Sequence, residues 1–241
     1  MQEGDVIEIA CSLWRDDGRG YTENVAAHLF KIDSAAAANI LAQNPASGTP
    51  STPEPEATPV FTDVSSASPY AEAINWAVSS GITKGTTDTT FSPDQGCTNG
   101  QILTFLWRRN GSPEPAIANP FTDSIPDAYA KAAVWAYEKG MVSGTTFDAA
   151  KPCTRAMTVQ YLWIDNGKPE YQLDGTEGDV PYITSPLASK FTDVPASAPY
   201  RAAVAWAIDW GVTNGTSETT FSPDKTCTRG QIVTFIYRNT Q

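Results

Sequence analysis

Two arginine residues stand where a chain could bind an anion. Arg155 and Arg229 directly follow Thr154 and Thr228, each of which the local pattern predicts to cap the start of a helix. A cation at the first helical position is unfavourable, because the exposed N–H groups there already carry partial positive charge. A residue that is locally unfavourable and brings no evident gain in stability tends to have a function. Arginine there is a natural receptor for a carboxylate or phosphate. The alternative is a surface arginine that pairs with one of the chain's many acids.

Tryptophans and glycines recur at fixed spacing and are candidates to border a ligand groove. Three predicted helices each carry one tryptophan just off the apolar stripe: Trp76, Trp135 and Trp206. Such a ring could stack on a sugar, and packing between repeats is the alternative. A glycine follows nine residues after each tryptophan: Gly85, Gly144 and Gly215. We expect these glycines to allow a positive φ or a close backbone approach first, and to line a groove second.

The remaining potentially reactive side chains are predicted to have structural rather than catalytic roles. Three cysteines share one repeat position, where buried thiols acting as small hydrophobes are expected: Cys97, Cys153 and Cys227. A metal site would need all three to converge, and the CxxC spacing of common zinc sites is absent. The recurring aspartates Asp63, Asp123 and Asp193 fit a turn or cap role. His28 is the only histidine and lies outside the repeats, so we predict no enzyme, no cofactor and no metal site.

Three internal repeats must position these residues. Each copy has, in one order, a Phe-Thr-Asp segment, an Ala-rich segment with its tryptophan, a glycine, a phenylalanine and a cysteine. The copies span residues 61–113, 121–169 and 191–239. In the first copy, apolar residues at i, i+3, i+4, i+7 and i+8 from Tyr70 predict an amphipathic helix that ends at Gly81. A second helix should start after each cysteine. We expect a capping box at two of these helix starts, formed by Thr98 with Gln101 and by Thr228 with Gln231.

The flanking segments differ in composition from the repeats. Residues 44–60 hold five prolines and predict a semi-rigid linker. Residues 1–43 predict a strand in which Ile7, Ile9, Cys11 and Leu13 alternate, and a helix around Ser34–Leu41. We interpret this segment as the tail of an upstream domain. Residues 165–190 are rich in Gly, Pro and Asp and predict a surface loop.

Charge and hydropathy exclude several classes of partner. The formal net charge is −11 with no basic cluster, which argues against nucleic acid and anionic membranes. No apolar stretch approaches the roughly 18 residues that a membrane span needs. The first residues lack the pattern of a secretory signal, so we expect either a cytoplasmic protein or a fragment of a larger secreted one, and the repeats favour the fragment.

The repeated pattern resembles the S-layer homology motif. The resemblance lies in the order Phe-x-Asp-Val, Trp-Ala, Gly-x5-Phe-x-Pro and Thr-Arg, which the third copy carries in full from Phe191 to Arg229. Residues 61–239 would then be three tandem motifs. The resemblance implies an all-α, pseudo-threefold domain of helix-loop-helix repeats, with one helix of each repeat in a central bundle.

The same resemblance implies a function. In that family, grooves between adjacent motifs bind secondary cell-wall polysaccharides, often with pyruvyl ketal carboxylates, and so anchor secreted proteins at the Gram-positive cell surface. Its Thr-Arg-Ala-Glu signature would place Thr154, Arg155, Thr228 and Arg229 in such grooves. The implied partner is an anionic glycan, with an upstream domain as covalently linked cargo.

The chain departs from the family pattern in ways that make three equivalent sites doubtful. Asn99 replaces arginine in the first copy, and the closing glutamate is absent from all three. The loop from Gly144 to Phe147 in the second copy is three residues shorter than the loop from Gly85 to Phe91 in the first. We therefore predict that Arg229 contributes most to binding, Arg155 less and Asn99 least. Two rivals remain: a protein-interaction or adhesion module with degenerate sugar sites, and an enzyme whose catalytic residues lie in an upstream domain.

Overall fold

The computed structural model describes residues 61–170 and 180–241, together with two short strands near the start of the chain. The chain divides into two compact units, Met1–Glu54 and Pro55–Gln241. In the first unit, strand β1 (Val6–Ile7) pairs antiparallel with β2 (Phe30–Lys31). Of the predicted strand, only Ile7 is among the described residues, and Ile9, Cys11 and Leu13 lie outside them. The predicted helix at residues 34–41 and the linker at residues 44–60 lie outside the described residues.

The described part of the second unit is helical, as predicted. Each repeat supplies two helices: α1 (Ala71–Ser79) and α2 (Asn99–Arg109), α3 (Asp127–Glu138) and α4 (Arg155–Asp165), then α6 (Arg201–Asp209) and α7 (Arg229–Arg238). A 3-10 turn (Tyr182–Thr184) and the short helix α5 (Pro186–Ser189) precede the third pair. None of the described helices is long and apolar enough to cross a membrane.

The helices pack between repeats and close into a ring. The second helix of each repeat packs on the first helix of the next, so that α2 contacts α3 and α4 contacts α6. The last helix, α7, returns to pack on α1. This order follows from the apolar faces of the second helices, which are too broad for one neighbour to cover.

The three cysteines form the centre of this ring. The backbone N–H of Cys97 donates to the carbonyl of Cys227, that of Cys153 to Cys97, and that of Cys227 to Cys153, each at 2.9 Å. All three thiols are free and buried, which confirms the predicted role as small hydrophobes. Burial raises the pKa of the Cys97 thiol to about 12, so these thiols should react slowly in the folded protein.

The described part of the segment before the third repeat is more ordered than the predicted surface loop. Residues 182–189 form the 3-10 turn and α5, and both pack on α6. Arg201 of α6 holds them in place: its Nε donates to the carbonyl of Ile183 at 2.9 Å and its Nη2 to the Ser189 hydroxyl at 2.5 Å. Ser185 followed by Pro186, a helix-start pattern, was the sequence signal for this helix.

Ring closure predicts that the repeats unfold as one unit. Removing residues 191–241 deletes α6 and α7 and so exposes the packed faces of α1 and α4. A chain of residues 61–190 should therefore lose cooperative thermal unfolding, measured by circular dichroism against residues 61–241. Equally sharp unfolding of the two chains would show that the repeats do not depend on ring closure.

A buried carboxylate at the far end of the bundle predicts a pH dependence. Asp165 accepts from the Asn110 amide at 3.1 Å and lies 3.8 Å from Arg109. Burial nevertheless raises the pKa of the Asp165 carboxyl above its ordinary value.

A group with a raised folded-state pKa stabilises the fold at low pH and loses that contribution as pH rises through the folded-state pKa. Asp165→Asn should therefore match the wild-type free energy of unfolding in acid and exceed it increasingly as pH rises, as measured by urea unfolding at several pH values. A constant difference between the two proteins would contradict the raised pKa.

Candidate functional site

Three equivalent interfaces connect successive repeats, and each is a candidate groove. Groove 1 lies between the start of α2 and the loop at residues 147–151. Groove 2 lies between the start of α4 and the loop at residues 221–225. Groove 3 lies between the start of α7 and the loop at residues 91–95. In each, the first two N–H groups of the helix donate to loop carbonyls of the following repeat: Asn99 and Gly100 to Lys151 and Ala149, Arg155 and Ala156 to Lys225 and Pro223, Arg229 and Gly230 to Gln95 and Pro93.

The helix starts have no backbone donors left for a ligand among these first N–H groups. The third N–H of each second helix donates to the side chain of its capping threonine, Thr98, Thr154 or Thr228. The capping boxes predicted for the first and third repeats are both present. The side chains that follow the threonines therefore decide what each groove can bind.

Arg155 spans groove 2, and its Nε and Nη2 both donate within the protein. Its guanidinium donates from Nε to the carbonyl of Phe221 and from Nη2 to the carbonyl of Asn214, both at 2.8 Å. It also lies 4.7 Å from the centre of the Phe221 ring. The residue is only 5% exposed. These contacts form a cationic bridge between repeats, in place of the surface ion pair that was the alternative interpretation.

Arg229 makes a similar bridge across groove 3, but its buried Nη2 has no partner among the residues described there. Its Nε donates to the carbonyl of Phe91 at 2.9 Å, and its guanidinium lies 4.8 Å from the Phe91 ring centre. The residue is 3% exposed, yet its Nη2 has no partner among the described residues. Burial lowers the pKa of both arginines. An unpaired buried donor is costly, so a ligand acceptor that reached it would be bound favourably.

Asn99 does not bridge groove 1. Its side chain is buried and accepts a hydrogen bond from the Tyr161 hydroxyl at 2.8 Å within the bundle. A cavity of about 470 Å³ opens at this interface instead. The cavity is lined by Thr98, Gln101, Asp123, Ser124, Pro126, Tyr129, Phe147, Asp148, Ala149 and Ala150.

The recurring aspartates clamp the loops, as the turn or cap interpretation predicts. Asp63 accepts from the backbone N–H groups of Phe91 and Ser92 at 2.9 and 2.7 Å, and Asp193 does the same for its own loop. Ser92 has a φ of +58°, a strained value that the clamp holds. Burial acts to raise the pKa of Asp63, but the two N–H donors hold it below its ordinary value.

Asp123 is the exception among these clamps. It accepts only from the N–H of Phe147, at 2.9 Å, and its other carboxylate oxygen is buried without a partner among the described residues. The N–H of Asp148, the counterpart of the Ser92 N–H in the first copy, makes no hydrogen bond to Asp123 in the shortened loop. The sequence showed the short loop, but not that a carboxylate oxygen would be left free.

The predicted tryptophans and glycines mainly serve packing. Trp135 and Trp206 are 2% and 1% exposed, and Trp76 lies partly exposed 5.4 Å from the Tyr237 ring. Gly85 and Gly144 have φ values of +92° and +87°. A Cβ at Gly215 would lie 2.5 Å from a ring carbon of Phe191. Their contact with a ligand stays a prediction.

Sequence reasoning missed a tyrosine that shapes each groove. Tyr129 packs against Gly100 in groove 1 and Tyr70 against Gly230 in groove 3, so closely that a Cβ at either glycine would meet the ring at 2.9 and 2.7 Å. Tyr200 holds the same position in the third copy. The signal was available, since all three follow the Phe-Thr-Asp segment at the start of a helix.

The clamp geometry predicts unequal costs for three isosteric substitutions. Asp63→Asn and Asp193→Asn each turn an amide N–H₂ toward a backbone N–H, and should lower the free energy of unfolding by about 1–3 kcal/mol. Asp123→Asn keeps its one hydrogen bond and should cost less than about 1 kcal/mol. Chemical denaturation of the three variants measures this order. Equal losses would show that the free oxygen of Asp123 has a structural partner.

Comparison with known protein families agrees with the first and third repeats. Residues 60–102 and 190–233 match the S-layer homology domain. The match does not include the middle repeat, which has the shortened loop. No curated protein matches the chain. Domains of this family generally anchor proteins at the cell surface by binding cell-wall polysaccharide, and the family is not a catalytic one.

Proposed function

We propose that the helical unit anchors a secreted protein at a bacterial cell wall by binding an anionic secondary polysaccharide, with groove 3 as the main site. The match to the S-layer homology domain supports the polysaccharide as the partner. The unpaired Nη2 of Arg229 carries the choice of groove and of charge. A carboxylate on a sugar, such as a pyruvyl ketal, would complete a charge-assisted hydrogen bond there.

The three interfaces differ in the donors that they can still offer. The Nη2 of Arg229 is buried and has no partner among the described residues, the Nη2 of Arg155 is bonded to the carbonyl of Asn214, and Asn99 carries no cation. The expected order of contribution is therefore Arg229, then Arg155, then Asn99. The same order was predicted from loop length and residue type, and here it rests on the hydrogen bonds of the two guanidinium groups.

Replacing each arginine by alanine distinguishes a role in ligand binding from a role in holding neighbouring repeats together. Arg229→Ala should weaken binding to isolated cell-wall sacculi by about ten- to a hundredfold, because a charged hydrogen bond contributes roughly 1.5–3 kcal/mol. Arg155→Ala is the matched control, since it removes the equivalent bridge, whose Nη2 is already bonded to the carbonyl of Asn214. Sedimentation of labelled protein with sacculi measures both, and thermal unfolding reports the loss of each bridge.

The comparison of the two variants decides the proposal. Both should lose stability, Arg155→Ala the more because it removes two hydrogen bonds to carbonyls, but only Arg229→Ala should lose most of its binding. Arg229→Lys should restore binding only in part, because it keeps the charge and lacks the planar fork. Binding equally weakened in both alanine variants would indicate that the arginines act through the fold alone. Binding that persists on sacculi stripped of the secondary polymer would favour a protein-interaction or adhesion module instead.

A further inference from the structure

Groove 1 differs from the other two interfaces in charge, because no arginine follows its capping threonine. In grooves 2 and 3 an arginine covers a phenylalanine ring, Phe221 or Phe91. In groove 1 the equivalent ring, Phe147, borders the cavity. Asn99 is too short to reach it and bonds to Tyr161 instead. No arginine of α2 therefore lies over Phe147, and the cavity stands at this position.

The lining of this cavity offers acceptors and no cation. Its acidic side chains are Asp123 and Asp148, and no lysine or arginine is among its lining residues. Asp148 is exposed, and one of its oxygens already accepts from the N–H groups of Ala150 and Lys151 at 3.0 Å. A carboxylate ligand would therefore meet two like charges at close range.

The buried oxygen of Asp123 lacks a hydrogen-bond donor among the described residues. A carboxylate oxygen removed from water without a hydrogen bond is costly, so buried polar atoms are nearly always paired. Asp123 lines the cavity, and its free oxygen calls for a donor. Tyr129 and Pro126 add flat apolar surface beside it, a combination suited to a sugar ring with its hydroxyl or amino groups toward the acid.

We propose that groove 1 binds a sugar unit that donates hydrogen bonds to Asp123, with an amino sugar bearing a free ammonium preferred over a neutral sugar and an acidic sugar excluded. The idea rests on the proposed glycan-binding function and gives one of its grooves the opposite ligand polarity. Groove 1 and groove 3 would then recognise different units of a polymer.

NMR titration of the full ¹⁵N-labelled chain with single sugars tests this order of preference among sugars. Glucosamine should shift the backbone amide signals of Phe147, Ala149 and Ala150, glucose should shift them less, and glucuronate should leave them in place. Asp123→Asn should weaken the glucosamine response about tenfold, because the amide offers a donor where the ligand also has one. Asp193→Asn, whose carboxylate is fully engaged in the third repeat, is the control and should respond as the wild type does.

A second variant fills the space. Asn99→Arg should create a bridge to Phe147 like those in grooves 2 and 3. It should abolish the glucosamine response, because the arginine side chain fills the cavity and its positive charge repels the ammonium group. Glucuronate shifts at these amides, an unchanged response in Asp123→Asn, or an equal response to calcium chloride alone would each overturn the inference. None of these results touches the Arg229 measurement on sacculi, so the failure of groove 1 and the failure of the proposed anchoring function are distinguishable.

Discussion

The backbone N–H groups at the start of α2, α4 and α7 find their acceptors only in the repeat that follows. A helix leaves its first N–H groups without internal partners, and a buried helix start must supply them from elsewhere. Here the loop carbonyls of the next repeat do so, and the third repeat turns to the first, with Arg229 and Gly230 donating to Gln95 and Pro93. No repeat can therefore satisfy its own central helix, and the hydrogen-bond ring through the three cysteines is the geometric result.

This constraint also decides how the grooves differ from one another. Because the backbone donors are used up in every interface, the repeat symmetry is broken only by side chains. Arginine gives a bridge over a phenylalanine ring, and asparagine gives a cavity. A seven-residue stretch from glycine to phenylalanine lets aspartate clamp two N–H groups, whereas the shorter stretch before Phe147 lets it clamp one. Each departure from the repeat pattern thus has a definite chemical consequence at one interface.

The sequence was sufficient for the helices and their caps, because spacing and capping chemistry are local. Thr98 with Gln101 and the apolar stripe from Tyr70 were readable from a few residues. The burial of Arg155 and Arg229 was not, since it depends on carbonyls of Phe221 and Phe91 that lie 66 and 138 residues away along the chain. The free oxygen of Asp123 was also hidden, because it results from an N–H that the shorter loop does not place nearby.

The net charge of −11 limits how an anionic polymer can be held. Long-range attraction is unfavourable for such a pair, so recognition must come from short-range contacts that are shielded from water. A buried guanidinium donor in groove 3 meets that requirement for an acidic unit. The acidic cavity in groove 1 would repel the same unit and accept one that carries hydroxyl or amino groups. A polymer that presents both kinds of unit at the right separation would gain from both grooves, because the second contact is made by a ligand that is already bound. Opposite polarity would then also fix the direction in which the polymer lies across the repeats, since a reversed chain would place its carboxylate against Asp123.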